Sequence, residues 1–293
     1  MAKQVGKFKN EQARAEFLAC YDEFERLWPQ RPEIVDVATS SGSTRVYLHG
    51  RGDATPLVLL PPMGGNGLCW YPLIGHLPTD RTVIAPDTIG TPGRSEQTAP
   101  VTNAPEFACW LDEVLAGLGV GKAHLMGYSE GAWYTAMAMT GGARRLASAT
   151  LIDGSTPFTK LPWRMMLVFL RAGIRPTDKN LRRFDELAMP HRRPTELEIR
   201  LSRAALGYRR TLPWPRILTD EELEAVELPV LAVLGAQSPI GKPLEARDRI
   251  LAHIRDSRVE IIEGSAHDLL FHKPGVIMPL ILDFIHKNEP ATV

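Results

Sequence analysis

Residues 123–133 read Ala123-His124-Leu125-Met126-Gly127-Tyr128-Ser129-Glu130-Gly131-Ala132-Trp133. A short apolar run, a Gly-x-Ser-x-Gly core and a helix-forming continuation predict strand, sharp turn and helix. In that context a serine hydroxyl is lifted off the end of a sheet and becomes a nucleophile. Gly127 and Gly131 suit the points where strand and helix fold back on one another, because a side chain there would collide. The competing reading is a serine in a plain glycine turn, and the flanking strand and helix signals weigh against it.

Working outward, short apolar runs recur at 56–60, 82–85, 123–126, 149–152, 230–234 and 259–262. Runs of this kind are strands buried on both faces, as in a parallel sheet. Helical patterns lie between them at 68–77, 105–118, 130–140, 242–254 and 276–286, so the alternation predicts right-handed crossovers and a doubly wound sheet. Runs at 33–39 and 44–49, joined by Ser40-Ser41-Gly42-Ser43, predict an antiparallel hairpin in front of it. Asn10 is placed to cap a helix over 11–28 with Phe17, Leu18, Tyr21, Phe24 and Trp28 on one side. The alternation breaks once, between Asp153 and Leu228. That interval carries its own helix signals: capping-box patterns at Thr195–Glu198 and Thr219–Glu222, and Asp178 placed to cap a helix that Pro190 ends. The expected organisation is an N-terminal helical extension (1–32), an α/β core (33–154 and 228–293) and an inserted helical cap (155–227).

The 293 residues carry 34 basic and 34 acidic side chains. A balanced charge gives no reason to expect nucleic acid or a membrane surface as partner. No apolar run approaches the roughly 18 residues that span a bilayer. A polar N-terminus and three widely spaced cysteines, Cys20, Cys69 and Cys109, predict a cytoplasmic protein with free thiols and without metal-ligand spacing. Charge is uneven, however: residues 154–218 hold fourteen Lys or Arg against five Asp or Glu. Solvated helix faces explain most of that surplus, and steering of an anionic or carrier-bound small molecule is the functional alternative.

With the serine turn, the hairpin, the six strands and the late insertion, residues 33–286 resemble the α/β-hydrolase superfamily. Three further motifs carry the resemblance: Leu59-Leu60-Pro61-Pro62-Met63-Gly64-Gly65-Asn66-Gly67, like the oxyanion loop; Asp87-Thr88-Ile89-Gly90-Thr91-Pro92-Gly93-Arg94-Ser95, like the loop after the next strand; and Gly264-Ser265-Ala266-His267, like the histidine loop. Asp87 reads as a structural capper of its own loop.

The resemblance implies Ser129 as nucleophile and His267 as base, with His272 the second choice for the base. Pro61 and Pro62 lack N–H groups, so Met63 is the first oxyanion donor this loop can offer. The resemblance implies the Glu130 N–H, at a helix N-terminus, as the second. The usual acid position after the strand 230–234 is held by Ser238. A serine can bond an imidazole but cannot supply negative charge. Asp153, at the end of the neighbouring strand, is a substitute carboxylate, set against an ordinary loop-anchoring role; Asp268, next to the histidine, is badly placed to reach its ring.

The expected activity is serine-dependent hydrolysis of an apolar, bulky ester, thioester or lactone, with no cofactor or metal and with a homodimer as an option. The run Trp163 to Leu170, apolar on every side, is expected to pack on the core and line part of the cleft. Two alternatives use the same fold: a non-hydrolytic lyase, cyclase or isomerase, favoured by Ser238 and the Pro-Pro loop, and a binding protein with a vestigial site.

Overall fold

Leu57 and Leu59 pack into one hydrophobic layer while Val58 and Leu60 pack into another. That two-residue alternation marks a strand buried on both faces, and it holds for the central sheet of the computed structural model, which describes residues 4–291. Residues 1–3 and 292–293, the outer tips of the expected extension and core, lie outside the described residues.

The chain opens with β1 (Lys7–Phe8) and α1 (Glu11–Glu25), followed by β2 (Glu33–Thr39), β3 (Gly42–His49) and β4 (Ala54–Leu60). A 3-10 helix (Gly67–His76) occupies the segment expected to be helical at 68–77. Then come β5 (Arg81–Pro86), β6 (Glu96–Gln97), α2 (Ala104–Gly117), β7 (Ala123–Tyr128), α3 (Glu130–Thr140) and β8 (Leu146–Ile152). The long excursion holds α4 (Trp163–Ile174), α5 (Asp178–Ala188), α6 (Glu196–Ala205), β9 (Tyr208–Arg209) and α7 (Asp220–Glu224). The chain closes with β10 (Val230–Gly235), α8 (Pro243–His253), β11 (Ser257–Ile262), α9 (Leu269–His272) and α10 (Pro274–Lys287).

The main sheet runs β11-β10-β8-β7-β4-β5-β3-β2, with β6 beside β3. It is parallel from β11 through β5, while β3 and β2 continue it antiparallel as the expected hairpin. β11 differs from the two-sided burial expected of it: as an edge strand it is only half-buried along its length. Register fixes the site, because Leu60 lies opposite Gly127 and both Tyr128 and Val233 lie opposite Ile152. The residues that follow, Pro61, Ser129 and Asp153, therefore leave the sheet at one edge.

Asn10 caps α1 as expected, accepting from the Ala13 N–H at 2.8 Å, but the helix stops at Glu25 and Trp28 lies beyond it. Trp28 is buried all the same, and its Nε1 donates to the Leu68 carbonyl. Phe17, Tyr21 and Phe24 join a layer with Tyr47, Trp70 and α10, so the appended helix packs on its own core. Tyr21 also donates to Asp87, whose carboxylate accepts from the Gly67 and Arg94 N–H groups, the loop-capping part expected of it. β1 pairs antiparallel with β9, lashing the N-terminus to the excursion.

Within the excursion both capping boxes form, at Thr195–Glu198 and Thr219–Glu222. Thr177, rather than the expected Asp178, caps α5, because its hydroxyl accepts from the Asn180 N–H while Asp178 takes the first helical position. The expectation for Trp163 to Leu170 fails in part. Met165 alone in α4 is buried, while Trp163, Met166, Leu167 and Leu170 are exposed, because one side of the helix is enough to pack on α5. Among the described residues no helix is long and apolar enough to cross a membrane.

Candidate active site

The turn at Ser129 is tight because backbone meets backbone. A Cβ on Gly127 would lie 2.0 Å from the Gly131 carbonyl oxygen, and one on Gly131 would lie 2.0 Å from the Leu60 oxygen. With both positions bare, the chain reverses between β7 and α3, and Ser129 takes φ +58°. That left-handed conformation costs a non-glycine residue energy, and such strain persists where its surroundings over-determine it. Here the Ser129 N–H donates to the Ile152 carbonyl at 2.9 Å, and its own carbonyl accepts from Ala132.

His267 arrives from the loop after β11. Its backbone is held on two sides: its N–H donates to the Ala188 carbonyl at the end of α5, and the Tyr128 hydroxyl donates to its carbonyl at 2.8 Å. The ring stacks on Tyr128 with centroids 5.1 Å apart. Nε2 lies 2.8 Å from Ser129 Oγ, and Nδ1 lies 2.5 Å from Asp153 Oδ2. A carboxylate accepts, so Nδ1 carries the ring proton and the Nε2 lone pair faces the serine hydroxyl. The bonded chain can move a proton from Ser129 to the imidazole.

Asp153 also stands in the left-handed region, with φ +44°, and is 1% exposed. Its Oδ1 accepts from the Gly235 N–H at 2.9 Å, and its Oδ2 accepts from Ser238 Oγ at 2.5 Å as well as from His267. Ser238 thus bonds the carboxylate, not the imidazole it was expected to be able to reach. Asp268 is turned elsewhere, accepting from the N–H and the ring of His191, and His272 stacks on that same ring.

Pro61, Pro62 and Met63 leave β4 beside this turn, and Gly65 closes a small loop by donating to the Pro62 carbonyl at 2.9 Å. Among the described residues neither the Met63 nor the Glu130 N–H has a protein acceptor, so both remain free to meet an oxygen of a bound molecule. The Glu130 side chain turns away into an ion pair with Arg210, which also lies over the Trp214 ring at 4.3 Å and reaches the Tyr134 hydroxyl. Among the described residues Arg210 Nε is buried without a partner. Neither Tyr128 nor Arg210 was singled out by sequence reasoning. The aromatic residue before Ser129 was on view; for Arg210 only the regional basic surplus pointed to it.

On the side of α5, burial raises the Asp185 carboxyl to about 6, with the Arg192 guanidinium pulling the other way. Arg192 pairs with Glu198 and covers the Phe271 ring, which meets Tyr128 edge-on. Among the described residues no three His, Cys, Asp or Glu side chains converge as a metal site. A surface hollow of about 540 Å³ between α1 and α6 is lined by Lys9, Cys20 and Arg203 and contains none of Ser129, Asp153 and His267.

Known proteins share this arrangement of elements. The chain is 26% identical over 277 residues to the uncharacterized carboxylesterase nap of Bacillus subtilis, covering 92% of this chain and 91% of that protein. It is 24% identical over 275 residues to carboxylesterase YbfK of the same organism, covering 92% and 93%. The crystal structure of naproxen esterase from Bacillus subtilis superposes with a TM-score of 0.84 at 25% identity, over 92% of this chain and 97% of that one. The profile of the Alpha/beta hydrolase family matches residues 46–278, most of the chain, and the protein belongs to that family.

Proposed function

We propose that the protein is a serine-dependent hydrolase of carboxylic esters. The observation that carries this reading is the unbroken chain Ser129–His267–Asp153, with bonds of 2.8 and 2.5 Å. Its likeness over nearly the whole chain to two carboxylesterases supports an ester as the bond cleaved. Ser129 Oγ attacks the ester carbonyl carbon as its proton passes to His267 Nε2. Charge gathering on the carbonyl oxygen is met by the Met63 and Glu130 N–H groups. The carbon–alkoxy bond then breaks, and the departing oxygen takes the proton from Nε2. Water attacks the acyl-serine after giving its proton to the same nitrogen, and Ser129 leaves with that proton when the acid departs. Asp153 holds the imidazole in the working tautomer and stabilises its cationic form.

The expected substrate is an apolar, bulky ester, a reading supported by a structural neighbour named for naproxen. The helical excursion 155–227 acts as a cap, since its Ala188 carbonyl bonds the His267 backbone and its Arg210 bonds Glu130. The non-hydrolytic alternative drew on Ser238 at the usual acid position and on the Pro61-Pro62 loop; the bond from His267 Nδ1 to Asp153 weighs against the first of these. A fluorophosphonate probe tests the reading: one equivalent labels the wild type and turnover of a p-nitrophenyl ester stops, while Ser129→Ala takes up none. Absence of labelling in the folded wild type overturns it. Running thioester and lactone substrates beside the ester separates those bond types.

A further inference from the structure

The excursion's first helix is apolar on two opposite sides, and only one of them is used. On a helical wheel Met165, Val168, Phe169 and Ala172 form the side turned to the protein, where Phe169 meets Phe184 and Trp214. Trp163, Met166, Leu167, Leu170 and Ile174 fall within about 100° of arc on the opposite side, at the one-turn and two-turn spacings of a continuous stripe. All five face solvent, from 44% exposed at Leu167 to 76% at Ile174. Contiguous apolar surface of this kind marks a contact site more often than an accident of composition.

Charge says what kind of partner fits. Arg164, Arg171 and Arg175 line one flank of the stripe, Lys160 precedes the helix, and α4 itself contains no acidic residue. Among the described residues none of these four cations is paired with a carboxylate, unlike Arg192, Arg200, Arg203, Arg210 and Arg216; Lys179, Arg183, Arg193 and Arg209 are also unpaired but lie outside α4. A second copy of the chain is a poor complement. In an antiparallel two-fold pairing like flanks meet, which sets arginines against arginines. In a parallel one the opposing flank offers no carboxylate.

A Trp at one end, aliphatic residues along the stripe and arginines beside it match a helix lying in the plane of a lipid–water interface. We propose that α4 docks the protein on an anionic lipid surface, with the apolar stripe entering the acyl boundary and the arginines meeting lipid phosphates. Zero net charge and the lack of a spanning segment, which argued at the level of sequence against a membrane partner, describe the whole chain and say nothing of one helix face. Ester hydrolysis is not required for this docking.

The test is co-sedimentation of the full-length protein with vesicles of phosphatidylcholine containing phosphatidylglycerol, beside vesicles of phosphatidylcholine alone. Binding is expected to the anionic vesicles, to weaken strongly between 50 mM and 0.5 M salt, and to fall about tenfold or more in Leu170→Glu and Ile174→Glu. Arg171→Glu should lose the preference for anionic lipid. These side chains are exposed, so the thermal midpoint and turnover of a soluble ester should stay close to wild type, which separates lost docking from lost fold. No capture by anionic vesicles overturns the proposal, as does capture that Leu170→Glu and Ile174→Glu leave intact. A wild type that is dimeric, ignores vesicles and becomes monomeric in Ile174→Glu would assign the stripe to a second copy instead.

Discussion

Ser238 and His267 share one oxygen of Asp153: the serine Oγ and the ring Nδ1 each lie 2.5 Å from Oδ2. The carboxylate comes from the end of β8, and Ser238, in the loop after β10 where this family usually carries its acid, serves as its support. With the Gly235 N–H on Oδ1, the buried carboxylate has three donors and one orientation. Substitutions at the two positions should therefore behave differently. Asp153→Asn presents an amide that cannot both accept from Nδ1–H and keep its other bonds, and kcat should fall by about 10³–10⁴-fold. Ser238→Ala keeps the acid and removes one hydrogen bond to a charged group, costing about 1.5–3 kcal/mol of stability with a far smaller loss of kcat. Ser238→Asp sets two carboxylates against each other and should lower activity at neutral pH. Steady-state kinetics and urea unfolding of the three variants check this; equal kcat in wild type and Asp153→Asn would remove Asp153 from the mechanism.

Glu130 places a carboxylate on the residue whose N–H is the proposed oxyanion donor. A negative charge so close opposes the one that develops on the substrate, and Arg210 balances it from the excursion. Arg210→Met leaves Glu130, only 7% exposed, without its counter-ion, and breaking a buried pair in this way costs about 3–5 kcal/mol. Both stability and kcat should drop, and adding Glu130→Gln should recover most of each. Chemical denaturation and kcat measured across the double-mutant cycle read the coupling; a double variant no better than Arg210→Met alone would sink the charge-balance argument.

In the proposed mechanism Met63 contributes a backbone group, so its side chain should be expendable and its N–H should not. Met63→Ala should keep kcat within a few-fold, while Met63→Pro, which removes the donor, should lower kcat by about 10²–10³-fold. Titrating a fluorophosphonate against both variants checks that the site is otherwise intact. Similar kcat values for the two would place the donor assigned to Met63 elsewhere.

Much of this was legible in the sequence for a physical reason. Strands buried on both faces are uninterrupted apolar runs, and the clash at Gly127 and Gly131 demands glycine, so sheet and turn announce themselves. Asp153 could be named because the family resemblance set the strand ending at 152 between the serine strand and the strand 230–234, and the sheet has that order. What Ser238 would touch could not, since a hydroxyl bonds an imidazole or a carboxylate equally well. Arg210 has no local signature, its partner being 80 positions away. In α4 the failure was one of symmetry: apolar residues all round a helix do not say which side is packed.

Asp185 gives a prediction in pH. Burial raises its folded pKa to about 6, above the roughly 3.9 of an unfolded aspartate. The folded state therefore holds the proton more tightly, and stability is lost as pH rises from about 4 through 6, where the carboxyl must ionise in its half-buried site. Asp185→Asn carries no such charge. Its thermal midpoint should match or trail the wild type near pH 4 and overtake it above pH 6.5, with the crossover inside that window. Because Asp185 lies one turn before Ala188, whose carbonyl bonds the His267 N–H, the same variant should make that contact less sensitive to pH. Thermal scans of both proteins from pH 4 to 8 read the crossover directly; parallel curves would mean that Asp185 is solvated and that α5 sits further from the histidine loop than described.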